Sequence, residues 1–167
     1  VLLYPEAGNW HLPLIVRTRR MLHHRGQVAC PGGGLEAGET VWQAARRELH
    51  EAVGVGLDDA AVTGSLSPLY VVASHFDVSP LVAVVDRPPK FRLSPDEVEE
   101  LLRVPLSDLP DDCGWKRGPI PRRAAAVGHV PQFQCKGHIV WGASAMILAE
   151  LQCILRPLAR AYGGPGG

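Results

Sequence analysis

The fold of this chain is decided by residues 33–55, which read GGLEAGETVWQAARRELHEAVGV. Adjacent glycines at the start favour a loop, because glycine adopts backbone angles that other residues avoid. From Thr40 to Val53 the apolar residues recur at helical spacing, which predicts an amphipathic helix. Thr40 and Gln43 form a capping-box pattern at its start, and Gly54 suits the left-handed position that ends a helix. The stretch therefore predicts a glycine-rich loop that runs directly into one helix.

Two acids of this helix suggest a metal site. Glu48 and Glu51 are three residues apart, so their side chains project from the same face of the helix. Two carboxylates on one face repel each other unless a cation lies between them, and Mg²⁺ prefers oxygen ligands. The alternative is that the pair belongs to the solvated face of an ordinary surface helix. The spacing alone leaves both interpretations open.

The complete pattern resembles the Nudix box: Gly, five residues, Glu, seven residues, Arg-Glu-apolar, one residue, Glu-Glu, one residue, Gly-apolar. The positions that match are Gly33, Glu39, Arg47, Glu48, Leu49, Glu51, Gly54 and Val55. This resemblance implies the Nudix fold, an α/β (α+β) architecture with a mixed β-sheet sandwiched between α-helices. It also implies that Gly33, Glu39, Arg47 and Gly54 are structural residues of the box.

Within the box, the resemblance assigns two kinds of role. Arg47 and Glu39 would pair and hold the loop against the helix. Glu48 and Glu51 would be catalytic residues that bind Mg²⁺ or Mn²⁺ ions, and these ions would bridge a diphosphate. The implied activity is metal-dependent hydrolysis of a nucleoside diphosphate linked to another group.

The one departure from the box is Ala52, where the family has a second glutamate that helps to bind metal. Its loss removes one negative charge and one or two oxygen donors, so we expect weaker metal affinity, with water filling the gap. A carboxylate at this position would stack over Glu48, and restoring it is expected to tighten metal binding. The departure also supports a competing interpretation, a Nudix-fold protein that binds nucleotide without turnover.

The segment before the box resembles the motif of the coenzyme A pyrophosphatase branch. Residues 15–33 read IVRTRRMLHHRGQVACPGG. The positions in register with the motif are Leu14, Arg17, Gly26, Pro31, Gly32 and Gly33, and those that depart from it are Thr18, Leu22 and Cys30. The resemblance implies that coenzyme A or its thioesters are cleaved to adenosine 3′,5′-bisphosphate and (acyl-)4′-phosphopantetheine. Hydrolysis of ADP-ribose or NADH stays open as an alternative.

Phosphate recognition is expected in the basic loop of this segment. Coenzyme A carries a diphosphate and a 3′-phosphate, so its recognition needs cations near both groups. Arg17, Arg25 and the backbone at Gly32 are the predicted substrate-binding residues. The alternative is a solvated basic loop that serves only solubility.

A further acid lies in residues 94–104, SPDEVEELLRV, which read as a short helix capped by Ser94. Glu97 resembles a glutamate that in several Nudix enzymes supplies another metal ligand or the general base, and it is our third candidate catalytic residue. The alternative is that it belongs to an acidic helix face together with its neighbouring acids.

The rest of the chain reads as strands followed by a terminal helix. Apolar runs at 1–4 and 11–18 around a turn predict a β-hairpin. Further strands are expected in 62–72, 79–86 and 138–141, an irregular surface loop in 111–130 and a C-terminal helix in 143–161.

Composition indicates one globular domain, residues 1–162, with a flexible tail at 163–167. The chain has 167 residues and is 46% hydrophobic, which is enough to bury a sizeable core. Lys plus Arg equals Asp plus Glu at 17 each, so the net charge excludes long-range attraction to nucleic acid or to an anionic membrane. No apolar run approaches the roughly 18 residues of a membrane span. Scattered cysteines read as reduced thiols, and the expected location is cytoplasmic.

Overall fold

The structure is a computed structural model, and it describes residues 1–20, 24–72, 74–110, 114–119 and 129–162. The predicted tail at 163–167 and the departure at Leu22 lie outside the described residues. The division into one domain and a tail therefore stays a prediction. None of the described helices has the length and apolar character required to cross a membrane.

The described residues form strands and two α-helices. The strands are β1 (Leu2–Glu6), β2 (Asn9–Arg17), β3 (Val28–Ala29), β4 (Val62–Ser65), β5 (Leu69–Val71), β6 (Phe76–Val78), β7 (Leu81–Val84), β8 (Val98–Pro105), β9 (Lys116–Pro119), β10 (His129–Cys135) and β11 (His138–Trp141). The helices are α1 (Val41–Val53) and α2 (Gly142–Tyr162). Short 3-10 turns cover Asp59–Ala61 and Leu106–Asp108.

The largest sheet is mixed, as the family resemblance predicted. Its order is β3-β2-β1-β7-β4, and β8 pairs with β2. β1 runs parallel to β7, whereas its pairing with β2 is antiparallel. The predicted hairpin joins β1 to β2 through Ala7 and Gly8, whose φ angles are 50° and 78°. Positive φ at both central residues is the geometry that two-residue hairpin turns favour.

The largest sheet lies between the two helices. Both of its faces carry apolar side chains, and each helix covers one of these faces. Successive side chains of a strand point to opposite faces. In β2, Leu14 and Val16 pack in a cluster with Leu148 of α2. Ile15 packs on the other side, in a cluster with Leu49 of α1. This arrangement confirms the predicted sandwich of a mixed sheet between α-helices.

The helix predicted for residues 94–104 is wrong, since this segment forms a turn and then β8. Ser94 does not cap a helix; its carbonyl accepts the backbone N–H groups of Glu97 and Val98 at 3.2 and 2.9 Å. The Glu and Leu residues favour helix on their own, but pairing with β2 from His11 to Arg17 overrides that preference. Leu102 and Val104 are thereby buried in the core beside α2.

Two other segments differ from expectation in detail. The stretch 62–72 contains two strands, β4 and β5, instead of one. The stretch 111–130 was expected to be irregular, but β9 and the start of β10 lie within it and pair antiparallel. β9 is an edge strand, where proline and glycine are tolerated because one side of the strand needs no hydrogen-bonding partner.

Candidate active site

Both ends of α1 are fixed by the residues that the sequence indicated. Thr40 Oγ1 accepts the backbone N–H of Gln43 at 3.3 Å, and Gln43 Oε1 accepts the backbone N–H of Thr40 at 2.8 Å. At the other end Gly54 has a φ of 72°, and its N–H donates to the His50 carbonyl at 2.8 Å. The predicted capping box and left-handed end are confirmed. The two caps therefore fix where α1 begins and ends, and with that the positions of its acidic residues along the helix.

Arg47 joins the glycine-rich loop to α1. Its Nε and Nη2 each donate to the Glu39 carboxylate at 2.9 Å, and Nη2 also donates to the Gly34 carbonyl at 2.9 Å. The two bonds from Arg47 to the carboxylate, together with the backbone N–H of Glu36, lower the pKa of Glu39 to about 2. The guanidinium pKa is raised above its usual value by the same carboxylate and by Glu48. The structure thus brings together the two residues expected to hold the loop.

The two predicted metal ligands converge on this same guanidinium. Arg47 Nη1 donates to Glu48 Oε1 and to Glu51 Oε2, both at 3.0 Å. The Glu48 side chain is 17% exposed and that of Glu51 is 47% exposed. Each carboxylate accepts the Arg47 hydrogen bond with one oxygen, and its second oxygen could bind a metal ion. Oxygen donors of this kind suit Mg²⁺ or Mn²⁺, so the residues present fit a divalent ion.

Glu48 lies in an environment that disfavours its charged form. Burial raises the pKa of Glu48, and the hydrogen bond from Arg47 opposes this shift. The negative charges of Glu51 and Glu97 raise this pKa further. Repulsion of this kind is relieved when a cation binds among the carboxylates. The other two predicted catalytic acids, Glu51 and Glu97, therefore both act electrostatically on Glu48.

The loop backbone lies directly against the Glu48 carboxylate at Gly33. A Cβ atom built on Gly33 would lie 2.3 Å from the carboxyl carbon and from both oxygens of Glu48. At the end of the helix, a Cβ on Gly54 would lie 2.9 Å from the backbone oxygen of Arg92. Two of the glycines implied by the box are thus close-approach positions, where no side chain fits without displacing a neighbour.

Ala52 does not face the acids but lies in the core. It is 2% exposed and belongs to the apolar cluster that contains Leu2, Tyr4 and Val53. Among the described residues, no three His, Cys, Asp or Glu side chains are grouped closely enough to hold a metal ion. Position 52 therefore supplies no third acid to Glu48 and Glu51, and the residues around it are apolar.

The predicted substrate residues lie at and beyond the end of β2. Arg17 and Gly26 close the basic loop, since the Arg17 carbonyl accepts the Gly26 N–H at 2.9 Å. Arg17 Nε is buried and has no hydrogen-bond partner among the described residues, and an anionic group would satisfy it. Arg25 and Gly32 are exposed. Contact of these three residues with substrate stays a prediction.

Thr18 departs from the upstream motif, and the sequence pattern indicates no role for it. In the structure Thr18 is 6% exposed and donates from Oγ1 to the Asp96 carbonyl and from its backbone N–H to the Glu97 carbonyl, both at 2.9 Å. The available signal was a hydroxyl residue at the end of a long apolar strand, since buried hydroxyls need a partner. That partner lies far away in sequence and could not be identified from the pattern.

Comparisons with known proteins identify the family of this chain. A model of the NUDIX domain matches residues 1–123. The peroxisomal coenzyme A diphosphatase ndx-8 of Caenorhabditis elegans is 41% identical over 117 residues, which are 67% of this chain and 50% of that protein. The chain thus spans half the length of that relative.

Two further relatives cover more of the chain. The uncharacterized Nudix hydrolase NudL of Pectobacterium atrosepticum is 36% identical over 150 residues, 83% of this chain and 73% of that protein. The crystal structure of a MutT/nudix family protein from Enterococcus faecalis superposes with a TM-score of 0.62 at 15% identity, over 93% of this chain and 60% of that one. At that identity the likeness concerns the fold alone. The resemblance inferred from residues 33–55 is therefore confirmed, and the chain belongs to the NUDIX family.

Proposed function

We propose that this chain is a metal-dependent hydrolase of a nucleoside diphosphate linked to another group, and that its substrate is coenzyme A or a coenzyme A thioester. The observation that carries the proposal is that Arg47 Nη1 holds Glu48 and Glu51 together on one side of α1, with Glu48 directly against Gly33 of the loop. Similarity to a coenzyme A diphosphatase supports the choice of substrate. The products would be adenosine 3′,5′-bisphosphate and (acyl-)4′-phosphopantetheine.

Glu48 and Glu51 are the residues that would hold Mg²⁺ or Mn²⁺ ions. Such ions, when bound, neutralise charge on the diphosphate and lower the pKa of the attacking water. Arg47 fixes both carboxylates by donating to each of them while it is itself held by Glu39. Fixed ligands favour catalysis because little reorganisation is needed when the substrate binds. Glu97, whose negative charge acts on Glu48, is the further proposed metal ligand or general base.

Substrate phosphate would be bound by the basic loop that follows β2. The buried Nε of Arg17 lacks a partner among the described residues, and a phosphate oxygen would accept its hydrogen. Arg25 and the backbone at Gly32 are the other proposed contacts. Charge-assisted bonds of this kind are short and strong, so they would orient the diphosphate relative to Glu48 and Glu51.

A second candidate function, nucleotide binding without turnover, is favoured by the environment of Ala52. This position is apolar and buried, so the site has one acid fewer than the complete Nudix box. Nudix hydrolysis of ADP-ribose or NADH is the remaining alternative. The cytoplasmic location expected from the sequence also stays a prediction.

A substrate panel separates these possibilities. With Mg²⁺ or Mn²⁺ present, we expect kcat/KM for coenzyme A to exceed that for ADP-ribose by about tenfold, on the order of 1.4 kcal/mol in transition-state free energy. Mass spectrometry of the products should identify adenosine 3′,5′-bisphosphate. Equal rates with ADP-ribose would contradict the assignment to coenzyme A. Binding of every nucleotide without any product would favour the non-enzymatic function.

Replacing Gly33 by alanine should damage the site more than the fold. The new methyl group must displace the Glu48 carboxylate, which is the flexible end of a side chain, so the backbone need not move. We expect Gly33→Ala to weaken Mn²⁺ binding about tenfold and to change the free energy of unfolding by about 1 kcal/mol or less. Calorimetric titration and urea unfolding measure the two effects.

The neighbouring residue provides a matched control for this prediction. A Cβ atom on Gly34 would have no atom within 4 Å, so Gly34→Ala should bind Mn²⁺ like the wild type. If the two alanine variants titrate alike, Gly33 does not determine the position of Glu48.

A further inference from the structure

A row of three side chains crosses the sheet β11-β10-β9. On the central strand, Gln132 is directly opposite Trp141 of β11 and Lys116 of β9. Directly opposite residues project from the same face of a sheet, with Cβ atoms about 5 Å apart. The next residues along, Phe133 and Val140, pair with each other and belong to the core cluster that packs on α2. Since successive residues alternate between faces, the row points away from this core.

The carboxamide of Gln132 is available to a ligand. Its Oε1 is buried and has no hydrogen-bond partner among the described residues. The side chain lies across Gly118 of β9, where a Cβ atom would be 2.6 Å from the carboxamide carbon. Glycine therefore leaves the space that the carboxamide occupies. A buried polar atom without a partner is costly, and a ligand N–H would satisfy it.

The other two members of the row differ from Gln132 in chemistry. Trp141 is half-buried, but neither apolar cluster of the described residues includes it. Lys116 is exposed. An indole ring can stack on a nucleobase, a glutamine carboxamide can pair with the edge of adenine, and a lysine binds phosphate as a point charge. Together these groups suit an adenosine that carries a phosphate on its ribose.

The sheet with this row lies beside the glycine-rich loop. β11 lies against β3, and the chain continues from β3 directly to Gly32 and Gly33. At the start of β11, His138 Nε2 lies 3.0 Å from Oε2 of Glu100 in β8. The row is therefore carried by the element next to the loop that approaches Glu48.

We propose that Lys116, Gln132 and Trp141 form a subsite for the adenosine 3′-phosphate end of coenzyme A. The inference rests on the proposed function, in which coenzyme A is the substrate and its diphosphate lies at the glycine-rich loop and α1. Trp141 stacks on the adenine ring, Gln132 Oε1 accepts a hydrogen bond from its amino group, and Lys116 pairs with the 3′-phosphate. The subsite thereby favours coenzyme A over substrates without a 3′-phosphate, such as ADP-ribose.

Calorimetric titration with adenosine 3′,5′-bisphosphate alone tests the subsite without metal or hydrolysis. Gln132→Leu should bind this nucleotide about tenfold more weakly than the wild type. Gly118→Ala should cause a similar loss, because its methyl group displaces the carboxamide of an unchanged Gln132. Gln134→Leu is the matched control, since Gln134 is an exposed residue of the same strand and face, and it should stay within about twofold.

The role of Lys116 is tested with adenosine 5′-monophosphate, which lacks the 3′-phosphate. The wild type should bind the bisphosphate about fivefold more tightly than the monophosphate, and Lys116→Met should bind both alike. Lys136→Met, which removes the same charge from an exposed position beyond β10, should keep the preference. In catalysis, Lys116→Met should raise KM for coenzyme A and leave kcat nearly unchanged.

The outcomes separate the subsite from the proposed function. If Gln132→Leu, Gly118→Ala and Gln134→Leu bind the bisphosphate alike, or if the wild type does not bind it, the subsite is wrong even in a protein that hydrolyses coenzyme A. Weaker binding of 4′-phosphopantetheine alone by Gln132→Leu would also overturn it. The expected losses in a protein that hydrolyses nothing would uphold the subsite and reject the proposed function. Should Gln132→Leu fail to fold, as judged by circular dichroism, Gln132→Met replaces it.

Discussion

Replacement of Glu48 by glutamine is expected to weaken Mn²⁺ binding by at least about 100-fold, because groups that merely support a metal ligand already contribute about 10- to 100-fold. Glutamine keeps the shape of the side chain and one oxygen, but it removes the negative charge. The charge matters more here than at Glu51, since Glu48 is the more buried of the two and water screens it less. Hydrolysis of coenzyme A should fall at least as steeply as metal binding.

Glu36→Gln is the matched control for this experiment. Glu36 is an exposed acid of the same glycine-rich loop, so its replacement makes an identical change of charge and shape. Titration calorimetry with Mn²⁺ should separate the two variants clearly. If Glu48→Gln and Glu36→Gln both bind like the wild type, the metal site does not lie on α1 and the proposed function loses its main support.

Local signals in the sequence predicted the loop and α1 well. The capping pair Thr40 and Gln43 and the glycine at position 54 act over a few residues, so their effect is independent of the rest of the chain. The face shared by Glu48 and Glu51 follows directly from helical spacing. The sandwich was predictable both from the irregular alternation of strands and helices along the chain and from the family resemblance.

Features that depend on distant partners were not predictable. Residues 98–105 form a strand because β2 offers a long edge for pairing, and nothing in their own composition indicates that edge. For the same reason the bonds from Thr18 to residues 96 and 97 could not be anticipated. The side chain at Ala52 was assigned to the acidic face by its position in the box, whereas its burial depends on residues of β1.

The burial of Ala52 changes the expected result of restoring the missing acid. From spacing alone, Ala52→Glu would complete a three-acid cluster and tighten metal binding. In the structure the new side chain would start among Leu2, Tyr4 and Val53. We therefore expect Ala52→Glu to lower the free energy of unfolding by about 3 kcal/mol at pH 7, since an unpaired charge next to apolar groups is costly.

The pH dependence of this loss tests its cause. Burial raises the pKa of a carboxyl group in the folded state, so the folded protein disfavours the charged form. The charge-dependent destabilisation should be largest above the raised pKa of the folded state, should shrink as the pH falls from there toward the unfolded pKa of about 4.3, and should be absent below that value. Ala52→Gln, which has the same size without a charge, should lose about 1–2 kcal/mol at every pH. Urea unfolding at pH 7 and pH 4 measures both variants.

Mn²⁺ binding decides between the two expectations for position 52. If the side chain stays among the apolar residues, Ala52→Glu should bind Mn²⁺ no more tightly than the wild type, and the metal should restore none of the lost stability. Tighter binding, accompanied by a rise in stability on adding Mn²⁺, would mean that the carboxylate reaches Glu48 around the edge of the core. In that case the missing acid alone limits metal affinity, and coenzyme A hydrolysis at limiting Mn²⁺ should rise together with it.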